Sequence, residues 1–274
     1  MKILTWPNHP ILRQDYDAIA AWVTNQHDFT IGDDDKLQKF IKKQHLSLTL
    51  AQAQSIRRAI NVNKIQSRAR QVRKQTHQIV RDYERGIDIL ALSAKYDYPP
   101  LPILYNILAL IYNNKELRDH FMGRDAILRG RDDKQYRAAY RVDATNPEYQ
   151  RQNTERAAHN EAKFVKYCRT LFALQTEDQL KQSQISNFGQ AVATPDVLAQ
   201  EPLTINGHQV KWIDFKDYAG TPSHLLYSKN CEQAAKYHAL WGPGAICYRH
   251  SYVEGLTIPG AILLDGSGLP IDYE

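Results

Sequence analysis

Two short runs of alternating apolar and polar residues stand out along the chain, one opening at Pro195-Asp196 and the other covering 209–218. Between them lies Asn206-Gly207, a pair suited to the positive backbone angles of a two-residue hairpin turn. The second run is rich in Val, Trp, Ile, Phe and Tyr, residues that fit a pleated, half-buried surface. Side chains along a strand alternate between its faces. Asp214 and Lys216 therefore share one face, and Ile213 and Phe215 share the other. A hairpin of this register returns Asp196 to the side of Asp214.

Elsewhere the apolar spacing changes from two to between three and four, as a helix requires. Helices are expected over 15–23, over 34–43 behind the acids Asp33, Asp34 and Asp35, and over 49–60 with Thr49 as the cap. A longer helix is expected over 63–83, with Ile65, Ala69, Val72, Thr76, Ile79 and Tyr83 on its inner face. Residues 88–95 and 101–112 form two helical stretches around the turn Tyr96-Asp97-Tyr98-Pro99-Pro100, the outline of a helix-turn-helix. The second stretch carries Asn106 but otherwise few base-reading side chains, so a role in structure and phosphate positioning fits it better. Residues 123–146 sustain no apolar period and hold five arginines between Arg124 and Arg141. Asn146-Pro147 then marks a helix start, with Asn as cap and Pro in the first turn. That helix is expected to run to about residue 172. After the hairpin come a helix over 230–240, a break at Trp241-Gly242-Pro243-Gly244, and strands over 245–248 and 261–264. The expected division is a helical domain over 1–122, a basic linker over 123–146 and an α/β domain over 147–274.

At 274 residues and 43% hydrophobic composition, the chain can bury a substantial core. Its longest nearly apolar run, 101–112, is too short to span a bilayer, and the first residues lack the apolar centre of a secretory signal. A soluble protein with no membrane association is expected. Three widely spaced cysteines, Cys168, Cys231 and Cys247, form no C-x-x-C pair, which argues against a structural zinc site or a disulfide framework and for a reducing, intracellular setting. The formal charge of +5 is uneven: residues 1–156 hold 26 Lys/Arg against 18 Asp/Glu, and residues 157–274 hold 9 against 12. The basic part suits a polyanion and the acidic part a divalent cation. Eight Lys/Arg and no acid fall between Arg57 and Arg81. Within that run Arg57, Arg58, Arg68, Arg73, Lys74 and Arg81 are the candidate phosphate contacts, with Arg68, Arg73, Lys74 and Arg81 expected to face outward.

The hairpin brings chemistry to this charge pattern. Asp196 is followed after seventeen residues by Asp214-Phe215-Lys216. Two carboxylates offer hard oxygen ligands for Mg²⁺ or Mn²⁺, and a neighbouring ammonium can steady phosphoryl oxygens. Asp-x-Lys alone is common on solvated strands, so the hairpin between the motifs gives the pattern its weight. The ten histidines form no H-x-x-x-H or H-E-x-x-H cluster, and no phosphate-loop pattern is present.

In this order, Thr194-Pro195-Asp196, Trp212-Ile213-Asp214-Phe215-Lys216, Gln233, and Gly242-Pro243-Gly244 with Tyr248 resemble the codanin-interacting nuclease (TPD-motif) family of the PD-(D/E)XK nuclease superfamily. The likeness covers roughly 155–264; the N-terminal half is similar only in helical layout. The resemblance implies a mixed-sheet αβββαβ-like nuclease core, preceded by an all-α helix-turn-helix-type domain. It implies metal ligation by Asp196 and Asp214, completed by Glu161 with Glu155 as the alternative, catalytic assistance from Lys216, and a Gln233 leaning toward the site. The expected activity is Mg²⁺- or Mn²⁺-dependent hydrolysis of DNA, structured or branched forms included, with RNA left open. In an animal protein the family implies a codanin-like partner, and in a eukaryote a nuclear or cytoplasmic location. The competing reading is a catalytically silent DNA-binding or scaffold protein that retains the fold.

Overall fold

The computed structural model describes residues 1–26, 29–32, 34–112, 115, 117, 127–190 and 192–270, with backbone alone for 187 and 188. Asp33, Arg124 and the expected boundary between 122 and 123 lie outside the described residues. The helices are α1 (Arg13–Asn25), α2 (Asp34–Lys43), α3 (Leu50–Lys74), α4 (Thr76–Glu84), α5 (Ile89–Tyr96), α6 (Pro100–Ile111), α7 (Gly130–Val142), α8 (Pro147–Leu171), α9 (Glu177–Phe188) and α10 (His224–Trp241). The strands are β1 (Lys2–Leu4), β2 (Leu174–Thr176), β3 (Val197–Ile205), β4 (His208–Lys216), β5 (Gly244–Tyr248) and β6 (Ala261–Asp265). They fold into two compact units: Met1–Ile19, Phe40–Ala59 and Thr154–Glu274 make the first, and Ala20–Lys39 with Ile60–Asn153 make the second.

The first unit is a mixed α/β domain built on a sheet in the order β1-β3-β4-β5-β6, with β2 also pairing β3. The hairpin β3–β4 forms as expected. Asn206 and Gly207 both take positive φ, 50° and 83°, as the tight turn demands. Asn206 also clasps the backbone of Trp6, accepting from its N–H at 2.8 Å and donating to its C=O at 2.9 Å. This anchors the N-terminal segment, and β1 runs parallel to the far end of β3. The first residues thus supply a strand where only helices are expected. Three residues, two of them exposed, carry too little pattern to read.

Parallel pairing of β4 with β5 and of β5 with β6 puts β4 inside the sheet, and Trp212–Phe215 are buried. On one face Ile213 and Phe215 pack with Phe164 and Cys168 of α8, and Phe164 stacks on Phe215 at 4.8 Å. On the other, Trp212, Ile246 and Tyr248 meet Ala234 and Tyr237 of α10. Gly244 is required here, because a Cβ would lie 2.1 Å from the Trp212 ring. Helix α10 begins at His224, six residues before the expected start, and β2 and α9 separate α8 from the hairpin. The order from α8 on is therefore longer than helix–three strands–helix–strand.

In the second unit α4 to α7 share a core that includes Ile79, Tyr83, Leu92, Leu101, Leu104, Ile107 and Ala139. Asp82 links α4 to α5 by accepting from Lys95 Nζ at 2.6 Å and from the Tyr96 hydroxyl at 2.7 Å. These bonds hold its carboxyl down to about 2. The α5–α6 turn is tight, with Asp97 in the left-handed region at φ 48°. Helix α6 buries Leu101, Ile103, Leu104, Ile107 and Leu108, and Leu110 and Ile111 are exposed. Two corrections concern helix limits. Helix α3 runs unbroken through Asn61 and Asn63, where a gap between two helices is expected, and the break falls at Gln75. Residues 130–142, expected as connector, are helix α7, which buries only Ala139 and so shows little apolar period. Among the described residues no helix is long and apolar enough to cross a membrane.

Candidate metal and phosphate site

The end of the hairpin opens into a cleft of about 490 Å³, lined among others by Glu161, Glu177, Asp196, Asp214, Lys216, Gln233 and Tyr237. Each reaches it for a local reason. Asp196 precedes β3, and Val197 pairs with Ile213, which sets Asp196 beside Asp214. Asp196 Oδ2 accepts from the Phe215 N–H at 2.6 Å, and this bond fixes its side chain across the hairpin. Asp214 and Lys216 project from the same face of β4. Lys216 Nζ forms an ion pair with Asp214 Oδ2 and donates to Gln233 Oε1 at 2.7 Å. From α10, Gln233 Nε2 donates to Asp214 Oδ1 at 3.2 Å and to the Tyr237 hydroxyl at 2.7 Å. Because an ammonium only donates and a carboxylate only accepts, one orientation of the Gln233 amide satisfies both neighbours. Tyr237 passes the chain on, donating to Thr194 C=O at 3.1 Å.

The cleft is crowded with negative charge. Burial, then the charges of Asp214 and Glu161, push the Asp196 carboxyl well above the usual carboxylate range. Glu161 is pushed up by burial and by Glu177 and Asp214. Burial also raises Asp214, against the opposing pull of Lys216. Burial alone would lower Lys216, but Asp214 and Tyr218 outweigh it and its pKa is raised. Glu177 is engaged differently: it accepts from the Thr194 hydroxyl at 3.1 Å and pairs with Lys181 at 2.8 Å.

The donors suit a hard cation in kind, since they are carboxylate oxygens whose repulsion a divalent ion would relieve. Asp214 Oδ2 is buried, and its ion pair with Lys216 is its partner. The arrangement is not a ready-made cage. Among the described residues no group of three or more His, Cys, Asp or Glu is placed to hold a metal ion. The reason is visible in these bonds, where Asp196 Oδ2 and both Asp214 oxygens are turned to protein donors.

Of the expected site residues, Asp196, Asp214, Glu161, Lys216 and Gln233 all line this one cleft. Glu155 is exposed and does not line it. The basic run is divided. Arg57 and Arg58 are half-buried in the first unit; Arg68, Arg73, Lys74 and Arg81 lie in the second. Arg73, Lys74 and Arg81 are exposed as expected, whereas Arg68 folds back onto the buried Asp97 at 2.7 Å, where Lys64 also pairs at 3.1 Å. Asp97 is distant in sequence, so nothing near Arg68 signals the pairing. Glu177 and Tyr237 are site residues that the motif does not contain. Tyr237 is one helical turn beyond Gln233, and Thr176-x-x-Gln179 marks the helix start beside Glu177, with Gln179 Oε1 accepting the Thr176 N–H at 2.9 Å.

Residues 131–266 match the TPD family, described as proteins of unknown function with a TPD sequence motif. Thr194-Pro195-Asp196 falls inside that span. Two vertebrate proteins named CDAN1-interacting nuclease 1, from Xenopus laevis and Danio rerio, are each 32% identical over 77 residues, 27% of this chain and 25% of their own. Over that segment the chain shows distant homology to the CDAN1-interacting nuclease family. The uncharacterized protein L539 of Acanthamoeba polyphaga mimivirus is 32% identical over 78 residues, 27% of this chain and 28% of its own length. The match thus spans about a quarter of each of these relatives. No solved structure matches.

Proposed function

We propose that this protein is a divalent-metal-dependent nuclease with a PD-(D/E)XK-type core that hydrolyses phosphodiester bonds of DNA. The observation that carries the reading is the meeting of Asp196, Asp214 and Glu161 with Lys216 in one cleft at the end of the hairpin. The distant homology to nuclease-named proteins supports it. Asp196, Asp214 and Glu161 would hold Mg²⁺ or Mn²⁺. Bound there, the cation would supply Lewis-acid stabilisation of a phosphoryl oxygen and a more acidic water. Lys216 presents its ammonium to the developing phosphoryl charge, and Gln233 positions Lys216 against Asp214. The exposed basic residues Arg73, Lys74 and Arg81, with Arg57 and Arg58 earlier in the same run, contribute the hold on nucleic acid, while Arg68 is taken up by Asp97. The protein is soluble and intracellular on this reading, nuclear or cytoplasmic in a eukaryote, with a codanin-like partner in an animal.

The test is incubation with labelled linear, flap and junction DNA, and with RNA, with and without Mg²⁺ or Mn²⁺. Metal-dependent cleavage by the wild type, lost in Asp214→Asn, is the expected result. Binding without cleavage of any substrate under any divalent metal would overturn the proposal in favour of a catalytically silent DNA-binding or scaffold protein.

A further inference from the structure

Helix α10 brings more to the cleft than Gln233 and Tyr237. Among the described residues three lysines line the cleft: Lys216 on β4, and Lys229 and Lys236 on α10. Lys216 is taken up by Asp214 and Gln233. Lys229 and Lys236 are exposed, and among the described residues neither ammonium group makes an ion pair or a hydrogen bond. They stand seven positions apart on the helix, close to two full turns. Both therefore project in nearly the same direction, about 10 Å apart along the axis. Gln233 falls between them on the neighbouring line of the helix, four positions after Lys229 and three before Lys236. Its Oε1 accepts from Lys216 Nζ at 2.7 Å, so along the helix the Lys216 ammonium sits between the two free lysines.

An exposed helix lysine ordinarily serves to pair with a carboxylate three or four positions away. Glu232 stands at that spacing from both lysines and also lines the cleft, yet neither pairs with it. A pair formed there would be worth at most about 1 kcal/mol, too little to hold either ammonium against a phosphate. The floor of the cleft is anionic, with Glu161, Glu177, Asp196 and Asp214. A phosphate strand that enters it needs cations not already engaged by those carboxylates, and Lys229 and Lys236 supply them at the rim. A stacked strand rises about 3.4 Å per nucleotide. Two ammonium groups about 10 Å apart thus meet different phosphates, with room for another between them opposite Lys216.

We infer that Lys229 and Lys236 form two phosphate subsites that lay the substrate strand along α10, one on each side of the phosphate that faces Lys216. The inference rests on the nuclease reading for the identity of the strand. Gln233 sets the register, because it fixes Lys216 at the midpoint of the pair. The lysines meet phosphate and not base, so the grip is independent of sequence.

The test is binding of a fluorescently labelled single-stranded oligonucleotide to the full chain in EDTA, over a series of salt concentrations. Lys229→Gln and Lys236→Gln should each lower the slope of log affinity against log salt by about 0.7, and the double variant by about 1.4. Lys236→Arg should keep the wild-type slope. Lys2→Gln is the control for net charge: Lys2 is exposed and pairs with Leu203, six positions along β3 from the cleft end at Val197. It should leave the slope unchanged. Melting temperatures should stay at the wild-type value throughout. An unaltered slope in both α10 variants, or an equal fall in Lys2→Gln, would overturn the subsites, as would a wild type that binds no oligonucleotide. A wild type that never cleaves, while the α10 variants lose slope as expected, leaves the subsites standing and removes the nuclease reading. A wild type that cleaves, while those variants keep its slope, removes the subsites alone.

Discussion

Lys216 is tied at once to Asp214 and Gln233, and that double tie sets what its replacement should do. Lys216→Ala leaves Asp196, Asp214 and Glu161 in place and removes a cation from among them. Metal should bind at least as tightly, and single-turnover cleavage should fall by ~10²–10³ through lost charge stabilisation. Asp214→Asn should instead reduce metal affinity and cleavage together. Metal titration followed by single-turnover kinetics on both variants checks the split; equal loss of metal in both would contradict it. His250 permits a separate test of stability. Burial, with Arg58, Arg249 and Arg156, holds it down to about 4 against the opposing charge of Asp217. An unfolded histidine titrates near 6.5. Between these values the unfolded chain binds the proton that the folded chain does not, so stability should fall as pH drops from about 6.5 to 4. His250→Gln should flatten that stretch of the curve, by at most about 3 kcal/mol and less with partial exposure. Urea melts of both proteins across the window would show it.

Among the strands and helices, the hairpin was legible because its signals are local. Asn-Gly sets the turn, and alternation sets the faces, so Asp196, Asp214 and Lys216 could be placed together from spacing alone. Position on α8 leaves Glu161 and Glu155 both open, the family resemblance points to Glu161 first, and of the two only Glu161 lines the cleft. Tyr237 shares a helix face with Gln233 by its spacing of four, and the two are hydrogen-bonded; Glu177 was not legible, since α9 meets the strand ends only through tertiary packing. Helix α7 buries too little, and β1 is too short, for periodicity to register. The same distinction divides the basic run. Arg68 neutralises the buried Asp97, so Arg68→Ala leaves a buried charge short of one partner. It should lower the melting temperature of the protein, with little effect on salt dependence of binding. Arg73 and Lys74 are exposed near the end of α3 and Arg81 is exposed on α4, so the triple Arg73/Lys74/Arg81→Gln should do the reverse. Melting curves and salt titrations of the two variants decide this. Gly244→Ala offers a packing control: its Cβ would collide with the buried Trp212 ring, at a cost of about 1–3 kcal/mol or more.

Across the full chain, opposite charges divide the work that one reaction demands. The excess of base lies in residues 1–156 and the excess of acid in 157–274, where the carboxylate cleft sits. Without a divalent ion that cleft repels a phosphate, and the charge of Glu161 already helps to raise the pKa of Asp196 by the same repulsion. Holding and cutting should therefore respond in opposite senses to loss of charge. In EDTA, Asp196→Asn should bind labelled DNA as tightly as the wild type or more tightly, because the substitution can remove repulsion of phosphate but no attraction. The triple Arg73/Lys74/Arg81→Gln should bind more weakly, with a salt slope lowered by about 0.9 for each duplex phosphate no longer neutralised. With Mg²⁺ present, the order for cleavage should differ: Asp196→Asn should be inactive even when saturated with DNA, whereas the basic triple variant should recover its rate at high DNA concentration. Anisotropy in EDTA and cleavage at saturating DNA, run on the same three proteins, provide the comparison. If Asp196→Asn binds less DNA in EDTA while remaining folded, the cleft attracts phosphate without metal and this division of charge is wrong.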